Sequence, residues 1–202
     1  EIGLEAALLL VGIPLLVWTL VPIYHMVLFA ISPKDAAFSG QLWPNDPTLR
    51  NFAIVIGQRH HFLSHFWLQM FNSLVISLGT AAITLGVATA AAFAISRLRF
   101  RGGRLVMNLA LLTYFIPAAF LAVPMYKTMG MYGLLNNDWS LVIAMATIAS
   151  PYAIWILRQA SDKLPVELDE AALIDGASPF QLFRLVYIPL MVPSLIAVGT
   201  YA

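Results

Sequence analysis

The chain has 202 residues, of which 60% are hydrophobic and 10% charged, with a formal net charge of +1. Soluble domains carry roughly 25% charged residues, so this composition belongs to a membrane protein, and its near-neutral balance gives no hint of nucleic acid. The absence of cysteine excludes disulfides, Cys-based zinc sites and thiol chemistry, and leaves the compartment open.

The charges divide the chain into spans. No Asp, Glu, Lys or Arg lies between Glu5 and Lys34, Arg59 and Arg97, Arg104 and Lys127, or Asp138 and Arg158. Each gap holds the roughly 20 apolar residues that a bilayer-crossing helix needs. Spans are predicted at 6–31, 69–95, 105–125 and 139–157, with a fifth over 186–202 that is cut off by the end of the chain. The first is too long, and lacks a small-x-small site, to be a cleaved signal peptide. The chain starts at Glu1 rather than Met and stops inside an apolar run. The expectation is one transmembrane domain over 1–202, truncated at both ends.

Between the first two spans lie Pro33, Pro44 and Pro47, predicting a structured loop with a short helix near 48–57 capped by Thr48. Phe66 and Trp67 suit a membrane interface. His61 and His65 are four apart, as metal ligands on one helix face are, but no carboxylate or cysteine is near enough to complete a site. Solvated histidines, or contacts to an external protein, also fit. In the second span, Ala82, Gly86, Ala90 and Ala94 form a small-residue row that predicts helix packing or, alternatively, a pathway lining. Pro117 and Pro124 in the third span and Pro151 in the fourth predict kinks, which serve a translocation path or ordinary packing equally well.

The connector Ser96–Arg104 holds Arg97, Arg99, Arg101 and Arg104 and no acid. Basic residues beside span ends mark the cytoplasmic side. By parity, the polar loop 159–189 is cytoplasmic too, and seven of the eleven basic residues fall inside. In that loop, Pro165 suits a first helical position, and Glu167, Asp169 and Glu170 follow, where a helix dipole favours acids. Gly176 is placed to end this helix in a left-handed conformation. Ser178-Pro179 starts a second helix, which Pro189 is expected to close. An amphipathic connection on lipid headgroups and a plug for a partner protein both fit this pattern.

Glu170-Ala171-Ala172, then three residues, Gly176, nine residues and Val186-Tyr187-Ile188-Pro189, resembles the "EAA" loop of permease subunits of binding-protein-dependent ABC transporters. The run Glu167–Ser178 looks like the carbohydrate-uptake, maltose-type branch. That family usually ends the motif Ile-x-Leu-Pro, a mild difference. Trp43-Pro44 through Asn51-Phe52, Ser96–Arg104, Pro117 with Val123-Pro124-Met125-Tyr126, and Pro151 with Ile154-Trp155 through Arg158 extend the likeness from about residue 40 to the end.

The resemblance implies an all-α polytopic helical bundle, with about five of six transmembrane helices present here, in the inner membrane of a prokaryote. It implies a second permease subunit, two cytoplasmic ATPase subunits, an extracytoplasmic solute-binding protein and surrounding lipid as partners. Glu170, Ala171, Ala172, Asp175, Gly176, Ala177, Ser178, Pro179 and Phe180 would form the ATPase-coupling site. A larger residue at Ala172 or Gly176 should then abolish coupling and leave insertion intact. The residues themselves agree that no fuel is internal. The spans lack acids, Lys and Arg, leaving only His25 near an outer end, whereas ion-driven transporters need ionisable groups at depth. No phosphate-binding Gly-x4-Gly-Lys-Ser/Thr occurs. No catalytic, metal or cofactor constellation is evident, so an enzyme is not expected.

Sugar hydroxyls and ring faces want hydrogen bonds and aromatic platforms. Asn108, Tyr114, Phe115, Ser150 and Tyr152 are the candidate pathway residues, each equally explicable by helix packing. An ion-gradient-driven transporter and a non-transporting membrane scaffold are the rival readings.

Overall fold

The computed structural model describes residues 2–34, 40–98 and 100–202. Residues 35–39 of the predicted outer loop and Arg99 of the basic connector lie outside the described residues. No strand occurs among the described residues, and the helices fall into two compact units, Glu1–Met70 and Phe71–Ala202. Among the described residues, four helical stretches are long and apolar enough to cross a bilayer: Leu9–Ile31, His61–Ser96, Asp138–Ser161 and Pro179–Tyr201.

The first unit is built on α1 (Ile2–Ile31), which continues through Pro14 and Pro22. Leu10, Trp18 and Met26 are all strongly exposed, so the helix is apolar all round, as a helix against lipid or a neighbour must be. Its last carbonyls are claimed by the chain that follows. Asn51 donates Nδ2 hydrogen bonds to the carbonyls of Phe29, Ala30 and Ser32 at 3.2, 3.1 and 2.9 Å. The Thr48 amide reaches Ile31 at 2.7 Å, and the Tyr24 hydroxyl donates to the Leu42 carbonyl. The Asn51 and Thr48 bonds satisfy groups that a helix end leaves orphaned. The predicted short helix is α2 (Arg50–Ile56), but its N-cap position is Leu49, not Thr48. Among the described residues, the Thr48 hydroxyl accepts from the Arg50 amide, at 3.2 Å. Trp67 donates its indole N–H to Ile56 at 3.1 Å, closing α2. A single 3₁₀ turn at His61–Leu63 ends before α3 starts, so His61 and His65 do not share one helix face. His60 instead stacks on His61.

The second unit packs α3 (Phe66–Ser96) with α6 (Asp138–Ser161) and α9 (Ile188–Tyr201). Ala88, Ala92 and Phe93 meet Ala153, Leu157, Tyr187, Met191 and Val198 in its core. The inward row on α3 is Thr80, Thr84, Ala88 and Ala92. Of the predicted small-residue row, Ala82, Gly86 and Ala90 are exposed and Ala94 is half-buried, so most of that row faces away from the core of this unit. The inward row wins because it leads into Phe93, whose ring lies 5.0 Å from Phe183 and 4.9 Å from Tyr187. Helix approach is close where α9 passes: a Cβ on Gly199 would lie 3.2 Å from Leu85.

The third predicted span departs most from expectation. In place of one helix over 105–125, α4 (Gly103–Thr113) and α5 (Ala118–Met131) meet at 101°. Pro117 causes the break, sitting at φ −57°, ψ 131° in the N-cap position of α5. It supplies no N–H and turns its predecessor away from helical geometry. Pro124 and Pro151 lie inside continuous helices.

Candidate functional site

The polar loop folds as predicted in its first half. α7 (Glu167–Ile174) gathers three acids in its opening turn, although it starts two residues after Pro165 rather than on it. Gly176 has φ +83°. The Ala177 amide reaches back to the Ala172 carbonyl at 2.9 Å and the Gly176 amide to Leu173 at 3.1 Å, the paired bonds of a left-handed glycine cap. Nothing lies within 4 Å of where a Cβ on Gly176 would be. Handedness, not space, therefore asks for glycine here.

The second half departs from expectation. Ser178 accepts from the Gln181 amide at 3.3 Å and returns its own N–H to Gln181 Oε1 at 2.8 Å, closing a capping box over α8 (Pro179–Gln181). Pro189 does not end this helix. The chain passes through a π turn, Leu182–Tyr187, directly into α9, with Pro189 in its first turn. A first turn needs no N–H from proline, and the wide π turn absorbs the change of register. The turn at Gly176 is thus continuous, through one helical rod, with a span.

Outward from this turn point Glu170, Ala171, Asp175, Ser178, Pro179 and Phe180, with Ala177 half-buried. Ile174 is 86% exposed and Phe180 68% exposed, an apolar tip set between acids. Ala172 faces the other way and packs on the core of this chain.

The base of the turn is bolted to α3. Arg97 Nε lies 2.9 Å from Asp169 Oδ2, with the two side chains only 7% and 10% exposed. Arg97 Nη2 also donates to the Leu164 carbonyl at 3.2 Å. Beside it, the Ser96 and Ser161 hydroxyls are 2.6 Å apart, and the Tyr187 phenol lies against them without closing a well-formed bond. Removing one partner of a buried pair such as Arg97–Asp169 strands a charge, at a cost of about 3–5 kcal/mol. A second pair, Arg158–Asp162 at 2.9 Å, is local to the end of α6 and more exposed. These contacts put the Ser96–Arg104 connector and the polar loop at the same end of the second unit.

Neither Arg97 nor Asp169 stood out in sequence as site residues, since acids in a first helical turn read as solvated. The signal was the spacing: Asp169 and Ala172, three apart, share a helix face. Ile174 was likewise missed.

The pathway candidates divide. Tyr114, at the α4–α5 break, stacks on Tyr152 of α6 at 5.4 Å. Tyr152 also meets Trp155 and Tyr201, and the Tyr114 and Tyr201 hydroxyls are 3.0 Å apart. A cavity of about 530 Å³ opens beside Tyr114, lined also by Thr113, Pro117, Met125, Thr147 and Pro151. Ser150 uses its hydroxyl on the Ala146 carbonyl of its own helix. Asn108 and Phe115 are exposed. No group of three metal-ligating side chains occurs among the described residues.

Residues 82–202 match the family described as the inner membrane component of binding-protein-dependent transport systems. The chain belongs to that family. As an inner membrane component it is similar to the trehalose transport system permease protein SugB of Mycobacterium tuberculosis, at 31% identity over 179 residues, 89% of this chain and 64% of that protein. It is similar also to the inner membrane ABC transporter permease protein YcjP of Escherichia coli, at 30% identity over 190 residues, 92% of this chain and 66% of that one. The solved structure of a bacterial ABC transporter involved in the import of the acidic polysaccharide alginate matches with a TM-score of 0.76 at 26% identity, covering 99% of this chain and 68% of that one. The chain spans about two thirds of the length of these relatives. Its helical fold is that of an ABC importer permease, a multi-pass component of the inner membrane.

Proposed function

We propose that this chain is the permease part of an ATP-driven importer of sugars or related polyols in the cytoplasmic membrane of a prokaryote. One observation carries the coupling role: an exposed apolar tip, Ile174 and Phe180, on a turn whose base is buried and ion-paired. Exposed apolar side chains at the charged end of a membrane protein are costly unless another protein covers them. A cytoplasmic ATPase subunit is the fitting cover, with Glu170 and Asp175 at the rim for its basic side chains. ATP-driven movement of two such subunits rocks the spans of this chain and of a second permease. Solute arrives from an extracytoplasmic binding protein.

The pathway runs past the α4–α5 break. Non-helical backbone at membrane depth is tolerated where it lines a cavity, and discontinuous helices are a recurrent place for transported solutes. The Tyr114–Tyr152–Tyr201 cluster offers ring faces and hydroxyls together, which suits a sugar. The trehalose relative and the alginate importer support a carbohydrate cargo.

The test uses the complete transporter. Phe180→Asp should leave membrane insertion intact and reduce ATPase co-purification by about thirtyfold or more, as loss of an interface hot spot does. Undiminished co-purification, or labelling that puts Glu170 on the outer face, would sink the coupling role.

A further inference from the structure

Resting on the docking role above, we propose that Arg97 and Asp169 form the strut through which movement of α7 reaches α3, making both positioning residues for energy coupling. α7 is joined along the chain to α6 before it and to the α8–α9 rod after it. Those helices feel its displacement covalently. α3 has no such link, yet supplies much of the core of the second unit. Its Phe93 and Ser96 touch the elements on either side of α7, and Arg97 at its end is ion-paired to α7 itself. Its backbone N–H still bonds to the Phe93 carbonyl at 2.8 Å, so Arg97 moves with the last turn of α3.

The kind of contact decides what it can transmit. Apolar surfaces are held without direction, so they resist separation but allow sliding. An ion pair shielded from water attracts strongly and resists being pulled apart, and a hydrogen bond beside it adds direction. The 2.9 Å Arg97–Asp169 contact is shielded from water, and the bond from Arg97 to Leu164 fixes the guanidinium from a second side. Arg158–Asp162 cannot serve the same end, since both residues sit four apart at the end of α6.

The experiment compares Asp169→Asn, Arg97→Gln and the exchange Arg97→Asp with Asp169→Arg, each in the complete transporter reconstituted in lipid vesicles. ATPase co-purification, ATP hydrolysis and solute taken up per ATP are read on the same preparations. The single variants are expected to hold the ATPase and hydrolyse ATP while uptake per ATP falls by about tenfold. The exchange should recover most of that loss. Parental uptake per ATP in the single variants overturns the strut. An exchange that assembles but stays uncoupled overturns it as well. If the single variants do not assemble, the exchange alone decides: assembly with transport supports the strut, and failure of either sinks it. Failure of the docking role looks different, since the ATPase would not co-purify even with the unaltered chain.

Discussion

The two ends of the second unit are built on opposite plans. At the loop end, contacts are polar, short and mostly shielded: Arg97 to Asp169, Ser96 to Ser161, and the Gln181 cap on Ser178. At the α4–α5 break, backbone leaves helical geometry, Phe115 and Ile116 are exposed, and stacked tyrosines border a cavity. A shielded ion pair and hydrogen bonds fix the loop end, where the Phe93, Phe183 and Tyr187 rings pack as well. Rings border the break instead, with no ion pair there among the described residues. The difference suits a device that receives force at one end and makes room at the other.

That contrast can be tested by variants that touch one end and spare the other. The largest effect is expected from Gly176→Val. A β-branched residue at φ +83° strains the turn by about 2 kcal/mol, so uptake per ATP should fall by more than tenfold, with insertion unchanged in a membrane-fraction assay. Tyr152→Ala comes next and belongs to the open end. It removes ring contacts to Tyr114, Trp155 and Tyr201, worth about 0.5–1.5 kcal/mol each. Transport assays should show a weaker apparent affinity for solute with ATP hydrolysis still coupled. An uncoupled Tyr152→Ala would erase the distinction between the ends. Ser178→Ala is the smallest, losing about 1 kcal/mol of cap. Hydrogen exchange should quicken at Gln181 and Leu182 and stay slow at Tyr152.

What could be read in advance follows from the range of the physics involved. Gly176 and Ser178 were legible because a left-handed cap and an N-cap are decided within a few residues. The charge-free stretches were legible because lipid imposes one composition on everything inside it. The break at Pro117 was not, because Pro14, Pro22, Pro151 and Pro193 carry similar chemistry inside unbroken helices. Whether proline kinks or breaks a helix depends on neighbours that can take up the freed carbonyls. Asp169 was hidden for a related reason: its partner lies far away in sequence, and only folding brings them together. The inward row of α3 was a choice between two runs of small residues that differ in what they lead to, and Phe93 settles it.

The two adjacent alanines of the loop answer to different masters. Ala171 faces outward, and Ala172 is seated on the core of its own chain. On the docking role proposed above, a bulkier side chain at 171 is accommodated by a change in the ATPase subunit. One at 172 can be relieved only from within, by trimming a side chain of the core it rests on. Second-site suppressors should therefore segregate by gene, although the original lesions are neighbours.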